Sequence, residues 1–168
     1  MHLIVDGYNL LYSDRSAVQL NSAELRWERE RLVDRLSVYR QLRPCEITLV
    51  FDGWQGGWNR EMRERKRGVE VIFSRIGERA DEVIKRLIKE KGAGAVVVTS
   101  DREISRYADK LAVAVVPSNR FMEKVERAAS DEKDFAGAME EERISKGKGP
   151  SRRLSKRERR LRATLKRL

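Results

Sequence analysis

Cys45 and His2 are the only cysteine and the only histidine in the chain. A lone cysteine closes no internal disulfide and no zinc cluster, and a lone histidine at the second position leaves no Ser-His or Cys-His triad to expect. Long apolar runs are missing too: none approaches the roughly 18–20 residues that cross a bilayer. The opening Met1-His2-Leu3-Ile4-Val5-Asp6 reaches an acid too early for a signal peptide. Membrane insertion and secretion are therefore not expected, and the sequence points to the cytoplasm. What is present is a chain of 168 residues, 40% hydrophobic and 38% charged, a balance that suits one compact core under a highly charged surface.

The net charge of +10 is unevenly placed. Residues 143–168 hold 12 Lys and Arg against one acid, Glu158, while the first 142 residues hold the remaining 25 basic and 26 acidic side chains. A near-neutral domain over 1–142 thus carries a basic C-terminal extension. The extension opens with Lys146-Gly147-Lys148-Gly149-Pro150-Ser151, a linker composition. Leu154, Leu161 and Leu168 then recur at heptad spacing, as in a basic helix that forms on binding; a disordered tail is the alternative. Arg152, Arg153, Lys156, Arg157, Arg159 and Arg160 are its candidate phosphate contacts, and structured RNA is the favoured partner because each contact would release counterions. An anionic membrane surface is the weaker fit, since three spaced leucines make a thin apolar face with no aromatic to insert.

Along the domain, Leu3-Ile4-Val5 reads as a buried strand stopped by Asp6-Gly7. Asn21-Ser22-Ala23-Glu24 resembles a capping box, and Leu25, Leu32, Val33, Leu36 and Tyr39 follow at helical spacing until Arg43-Pro44. Ile47–Phe51 and Val69–Phe73 read as the second and third strands. A helix is expected from Ala80, with Ala80, Val83, Ile84, Leu87 and Ile88 on one face and Gly92 at its end. Ala95–Thr99 reads as a fourth strand, a short helix follows Asp101, Leu111–Val116 offers a fifth strand, and 119–142 looks helical. Between the second and third strands, Trp54 and Trp58 flank glycines and run into Arg60, Arg63, Arg65, Lys66 and Arg67, which read as a surface loop able to contact RNA; the two tryptophans could stack on bases or simply anchor the loop. Apolar strands alternating with helices imply βαβ units and a mainly parallel sheet covered on both faces.

In such a sheet the C-terminal strand ends share one edge, where ligands bind. Asp6, Asp52 and Asp101 each fall at or just after a strand, and Asp81 with Glu82 opens the helix after the third. Carboxylates so gathered repel one another and call for protonation or a cation. With neither histidine nor cysteine available, the donors favour Mg²⁺ or Mn²⁺, which do phosphoryl or phosphodiester chemistry. Each acid also has a plainer reading: Asp6 and Asp52 as turn formers before glycine, Asp101 as a helix cap, Asp81 as a complement to a helix dipole. Asn9 reads either as a cap or as a residue orienting water or phosphate beside Asp6.

Leu3-Ile4-Val5-Asp6-Gly7-Tyr8-Asn9-Leu10-Leu11, Val50-Phe51-Asp52-Gly53, Ala80-Asp81-Glu82-Val83-Ile84 and Val98-Thr99-Ser100-Asp101-Arg102-Glu103-Ile104 together resemble the motifs of the NYN domain. More narrowly, they resemble its bacterial YacP-like branch within the PIN-like nuclease superfamily. The motifs span about residues 1–125, and none falls on 143–168. The resemblance implies a PIN-like three-layer α/β/α fold and a metal-dependent endoribonuclease. It makes Asp6, Asp81 and Asp101 metal ligands, with Asn9 and Asp52 as further catalytic residues and Glu82 and Glu103 as second choices. The family includes a ribosome-associated endoribonuclease that cuts messenger RNA during translation, so messenger RNA on the ribosome is the implied substrate and ribosomal RNA a contact for the tail.

Two other functions fit parts of the pattern. One is a non-catalytic RNA- or ribosome-binding module whose acidic pocket is vestigial. The other is a phosphatase with an aspartyl nucleophile, but that chemistry wants a second Asp two residues after the first, where this chain has Tyr8.

Overall fold

The structure, a computed structural model, describes residues 1–13, 20–53 and 59–145, with the side chains of 132–145 excepted. Trp54 and Trp58, read from the sequence as part of a loop, and the basic residues Arg152, Arg153, Lys156, Arg157, Arg159 and Arg160 lie outside the described residues. In chain order the elements are β1 (His2–Asp6), α1 (Gly7–Tyr12), α2 (Ser22–Leu42), β2 (Glu46–Phe51), β3 (Met62–Lys66), β4 (Val69–Phe73), α3 (Ala80–Lys91), β5 (Ala95–Val98), α4 (Arg102–Lys110), β6 (Ala114–Val116) and α5 (Ser118–Ser145).

The strands form one sheet in the order β3-β4-β2-β1-β5-β6. All pairings are parallel except β3 with β4, which is antiparallel. The chain builds outward from β1 to β2 and β4, then returns to place β5 on the other side of β1, so the direction of winding reverses between β1 and β5. That reversal opens a crevice at the C-terminal ends of these two strands.

Alternate residues of each strand feed two cores. Leu3, Val5, Leu49, Phe51 and Val71 pack with α1, α2 and the start of α5, while Ile4, Val50, Ile72 and Val97 pack with α3 and α4. Helices therefore cover both faces, as the near-continuous apolar strands imply, and each fully buried side chain contributes roughly 1.5–3 kcal/mol. The one polar side chain deep in β2, Thr48, is held by His2 Nε2 at 2.8 Å and donates to Glu70 at 2.7 Å.

Most elements lie where the sequence places them, and the capping box of α2 is complete. Asn21 Oδ1 accepts from the Ala23 and Glu24 amides, and Glu24 Oε2 accepts from the Asn21 amide. Two elements differ. The helix expected first, α2, is preceded by the six-residue α1, which begins on the residue after β1. The stretch Arg63 to Lys66, read as surface loop, is an edge strand that turns back through Arg67 and Gly68 onto β4, with Arg67 at φ 49° and Gly68 at φ 85°. In addition, Leu111 and Ala112 form a turn, so the last strand starts at Ala114 rather than Leu111.

Candidate active site at the C-terminal edge of the sheet

Asp6 is the last residue of β1 and the N-cap of α1, where its Oδ1 accepts from the Asn9 amide at 3.2 Å. Its Oδ2 accepts from the Thr99 hydroxyl at 3.0 Å, across the crevice from the end of β5. The turn into α1 requires glycine at position 7, because a Cβ there would stand 2.4 Å from the Phe51 ring and 2.8 Å from the Val50 carbonyl.

Asn9 lies inside α1, whose cap is Asp6. Its Oδ1 accepts from the Ser100 amide at 2.8 Å and from the Ser118 hydroxyl at 2.7 Å, so it ties α1 to the β5–α4 turn and to the first residue of α5. Asp101 caps α4, with Oδ1 accepting from the Glu103 and Ile104 amides at 2.7 and 3.0 Å, and its own amide donates to Thr99 Oγ1. Asp52, just past β2, accepts from the Ala80 amide at 2.7 Å and so closes the N-terminus of α3, which Arg79 at the cap position leaves without a side-chain acceptor. Asp81 opens α3 and is paired by Arg79 at 3.2 Å.

The four aspartates thus share one edge of the sheet. Burial, helped by the charges of Asp81 and Asp101, raises Asp6 from 3.8 to about 6, although the Asn9 amide and Thr99 hydroxyl favour its charged form. Burial also raises Asp81, with Asp101 and Asp52 adding to the rise and Arg79 and Lys85 opposing it. Of the second-choice acids, Glu103 points to solvent and is paired with Lys85, which also stands near the Tyr107 ring, and Glu82 is exposed.

Among the described residues no three His, Cys, Asp or Glu side chains stand close enough to form a ready-made metal cage. The donor set still fits a hard cation. Asp52 Oδ2, Asp81 Oδ1 and Asp101 Oδ2 accept no hydrogen bond from the described residues, and Mg²⁺ commonly takes only one or two carboxylates, keeping waters and substrate phosphates as its other ligands.

The basic stretch divides between the faces of the edge strand. Lys66, with Met62 and Glu64, faces a cleft of about 430 Å³ that reaches Asp52, whereas Arg63 and Arg65 border a second hollow of about 300 Å³ with His2 and Glu46. Lys66 pairs with Glu30 and Glu64, Arg63 with Glu61 and Glu70, and Arg67 with Asp34, while Arg60 is exposed. Sequence reasoning missed Thr99 and Ser118. Thr99 stands within the motif ending in Asp101 and was open to discovery there; Ser118, 109 positions from Asn9, carries no local signal.

A mainly parallel sheet wound outward both ways from β1 and covered on both faces, with aspartates along its C-terminal edge, has the layout of the PIN-like fold. The chain belongs to the YacP-like NYN domain family, whose pattern matches residues 3–167. That match runs on through the basic segment, beyond the 1–125 spanned by the recognisable motifs, so the segment is part of the family's pattern. Over 85 residues the chain is 29% identical to the uncharacterized protein YacP of Bacillus subtilis strain 168, covering 51% of this chain and 49% of that protein. The chain thus spans about half the length of the curated relative it matches. Two crystal structures of Rae1 (YacP) from Bacillus subtilis, one of them a point mutant, share the fold at 22% identity. The mutant has a TM-score of 0.71 and coverage of 84% of each chain; the other has 0.66, with 86% of this chain and 84% of that one.

Proposed function

We propose that the chain is a divalent-metal-dependent endoribonuclease that hydrolyses phosphodiester bonds in messenger RNA on the ribosome. The observation that carries this is the gathering of Asp6, Asp52, Asp81 and Asp101 along the C-terminal edge of the sheet, where Asp81 and Asp101 act on the buried Asp6 and raise it, with burial, to about 6. Asp6, Asp81 and Asp101 would hold Mg²⁺ or Mn²⁺, and the ion would activate water and neutralise charge on the phosphate. Asn9 keeps the β1 and β5 sides of the crevice at a set separation through Ser100 and Ser118. Asp52 fixes the start of α3, and with it the position of Asp81. The resemblance to a ribosome-associated branch supports the choice of messenger RNA, and the basic residues of 143–168 fit contact with ribosomal RNA.

A second reading, a non-catalytic RNA- or ribosome-binding module, is favoured by one observation: Asp6 and Asp101 already serve as helix caps and no closed cage exists among the described residues. Cleavage of end-labelled messenger RNA, free and on translating ribosomes, by wild type, Asp6→Asn and Asp81→Asn, with Mn²⁺ or with chelator, separates the two. Metal-dependent cuts that both variants lose are expected. Ribosome binding without any cutting selects the module.

A further inference from the structure

Most arginines and lysines near the sheet's open edge are spent on carboxylates: Lys66 on Glu30 and Glu64, Arg86 on Glu61 and Glu78, Arg79 on Asp81. Arg29 of α2 is not. Its guanidinium is half-buried, lies 5.5 Å from the centre of the Phe73 ring and 5.9 Å from that of Phe51, and donates one hydrogen bond, to the Tyr8 hydroxyl at 3.2 Å. Among the described residues it pairs with no carboxylate and donates only to Tyr8, which leaves most of its five donors without a partner there. A cation withdrawn from water without a counter-ion is costly, and a bound anion removes that cost.

Arg29 stands in the wall of the cleft of about 430 Å³ between α2 and the β3–β4 hairpin, a volume within the usual range of ligand sites. Phe73, partly exposed, stands in its floor and stacks at 5.7 Å on the fully buried Phe51, Arg26 lies exposed at its rim, and Asp52 forms the end that joins the acidic edge. Glu30 and Glu64 also line it, but both are engaged by Lys66.

We infer that this cleft is a subsite for single-stranded RNA, in which Arg29 binds a backbone phosphate flanking the scissile one and the adjoining base lies against Phe73. This rests on the nuclease reading for its placement relative to the cut. A planar guanidinium with open donors suits phosphate oxygens, and an aromatic floor suits any nucleobase. An acidic peptide would meet the guanidinium equally well but would leave the aromatic floor unused. Sequence reasoning assigned RNA contact to the hairpin and the tail; the cleft assigns it to α2 as well.

The test is fluorescence anisotropy of a labelled uridine hexamer, in chelator, against the full chain carrying Asp6→Asn so that no RNA is cut. Arg29→Met and Arg29→Lys are added to that parent, and a salt series is recorded for each. Arg29→Met is expected to weaken binding roughly tenfold or more and to reduce the salt slope by about 0.7, the loss of one phosphate contact to a single strand. Arg29→Lys is expected to keep the slope while losing part of the affinity. Arg29→Gln, which retains a donor toward Tyr8, replaces Met if Met lowers the melting temperature. An unchanged slope, whether affinity falls or not, overturns the subsite, as does a parent that does not bind the hexamer. The nuclease reading fails separately, on absent cleavage by the Asp6-intact chain.

Discussion

Asp6 meets opposing demands: the start of α1 needs its carboxylate, while burial and the neighbouring Asp81 and Asp101 resist its charge. The folded protein therefore holds this proton more tightly than the unfolded chain, at about 6 against 3.8. Stability is lost as pH rises from about 4 through 6, and below about 4 the group is protonated in both states and the penalty vanishes. At roughly 1.4 kcal/mol per pKa unit, Asp6→Asn should raise the stability of the metal-free protein at pH 7 by about 1–3 kcal/mol, with no gain at pH 4. Urea unfolding in chelator at both values checks this, and a variant less stable than wild type at pH 7 contradicts the burial account. Gly53 is a second sensitive position. Its amide donates to the Ser74 hydroxyl at 3.1 Å, and a Cβ would fall 1.8 Å from the Ser74 carbonyl oxygen. Gly53→Ala should cost about 1–3 kcal/mol in thermal or urea unfolding by forcing β4 away, and should displace the adjoining Asp52. The places of Asp6 and Asp52 were legible because each ends an apolar strand run. The use made of Asn9 was not, because its partners Ser100 and Ser118 come from distant segments.

The elements the sequence hid are those whose stability is not local. α1 has six residues, too few for an apolar period to declare itself, and it forms because Asp6 caps it and Leu10 and Leu11 are buried by the sheet and α2. β3 carries Arg63, Glu64, Arg65 and Lys66, a composition with little strand preference; its backbone pairing with β4 and its ion pairs to Glu30, Glu61 and Glu70 hold it. α2 and α3, by contrast, announced themselves through a capping box and a clean apolar face. The start of α3 offers a way to separate structure from chemistry. Since Asp52 supplies the acceptor that Arg79 does not, Asp52→Ala should destabilise the protein by about 1 kcal/mol, whereas Asp52→Asn keeps the acceptor and should cost little. If Asp52 also assists catalysis, both variants lose cleavage while only the alanine loses stability. Parallel melting curves and cleavage rates for the pair decide it, and equal rates in Asp52→Asn and wild type would confine Asp52 to its role at the helix.

At the scale of the molecule, alternating apolar strands and helices made the layered architecture readable, but nothing local revealed that β5 returns to the far side of β1. That return brings Thr99 and Asp101 against Asp6 across more than ninety residues of chain. Charge is distributed on the same large scale. The first 142 residues carry nearly balanced charge, while 11 of the chain's 37 Lys and Arg lie in 146–168, which the family's pattern also covers almost to its end. Ending the chain after Ser145 removes none of the described elements. The shortened protein should keep its melting temperature and its metal-dependent cutting of short RNA, but should bind long RNA and ribosomes less tightly and with a flatter salt dependence. If half of the removed cations engage single-stranded phosphate, at about 0.7 per contact, the slope of log K against log salt should fall in magnitude by roughly 4. Filter binding of a forty-nucleotide RNA across a salt series, full chain against shortened chain, measures this directly. Equal slopes would take the basic segment out of RNA binding and leave the cleft beside Asp52 as the main RNA contact.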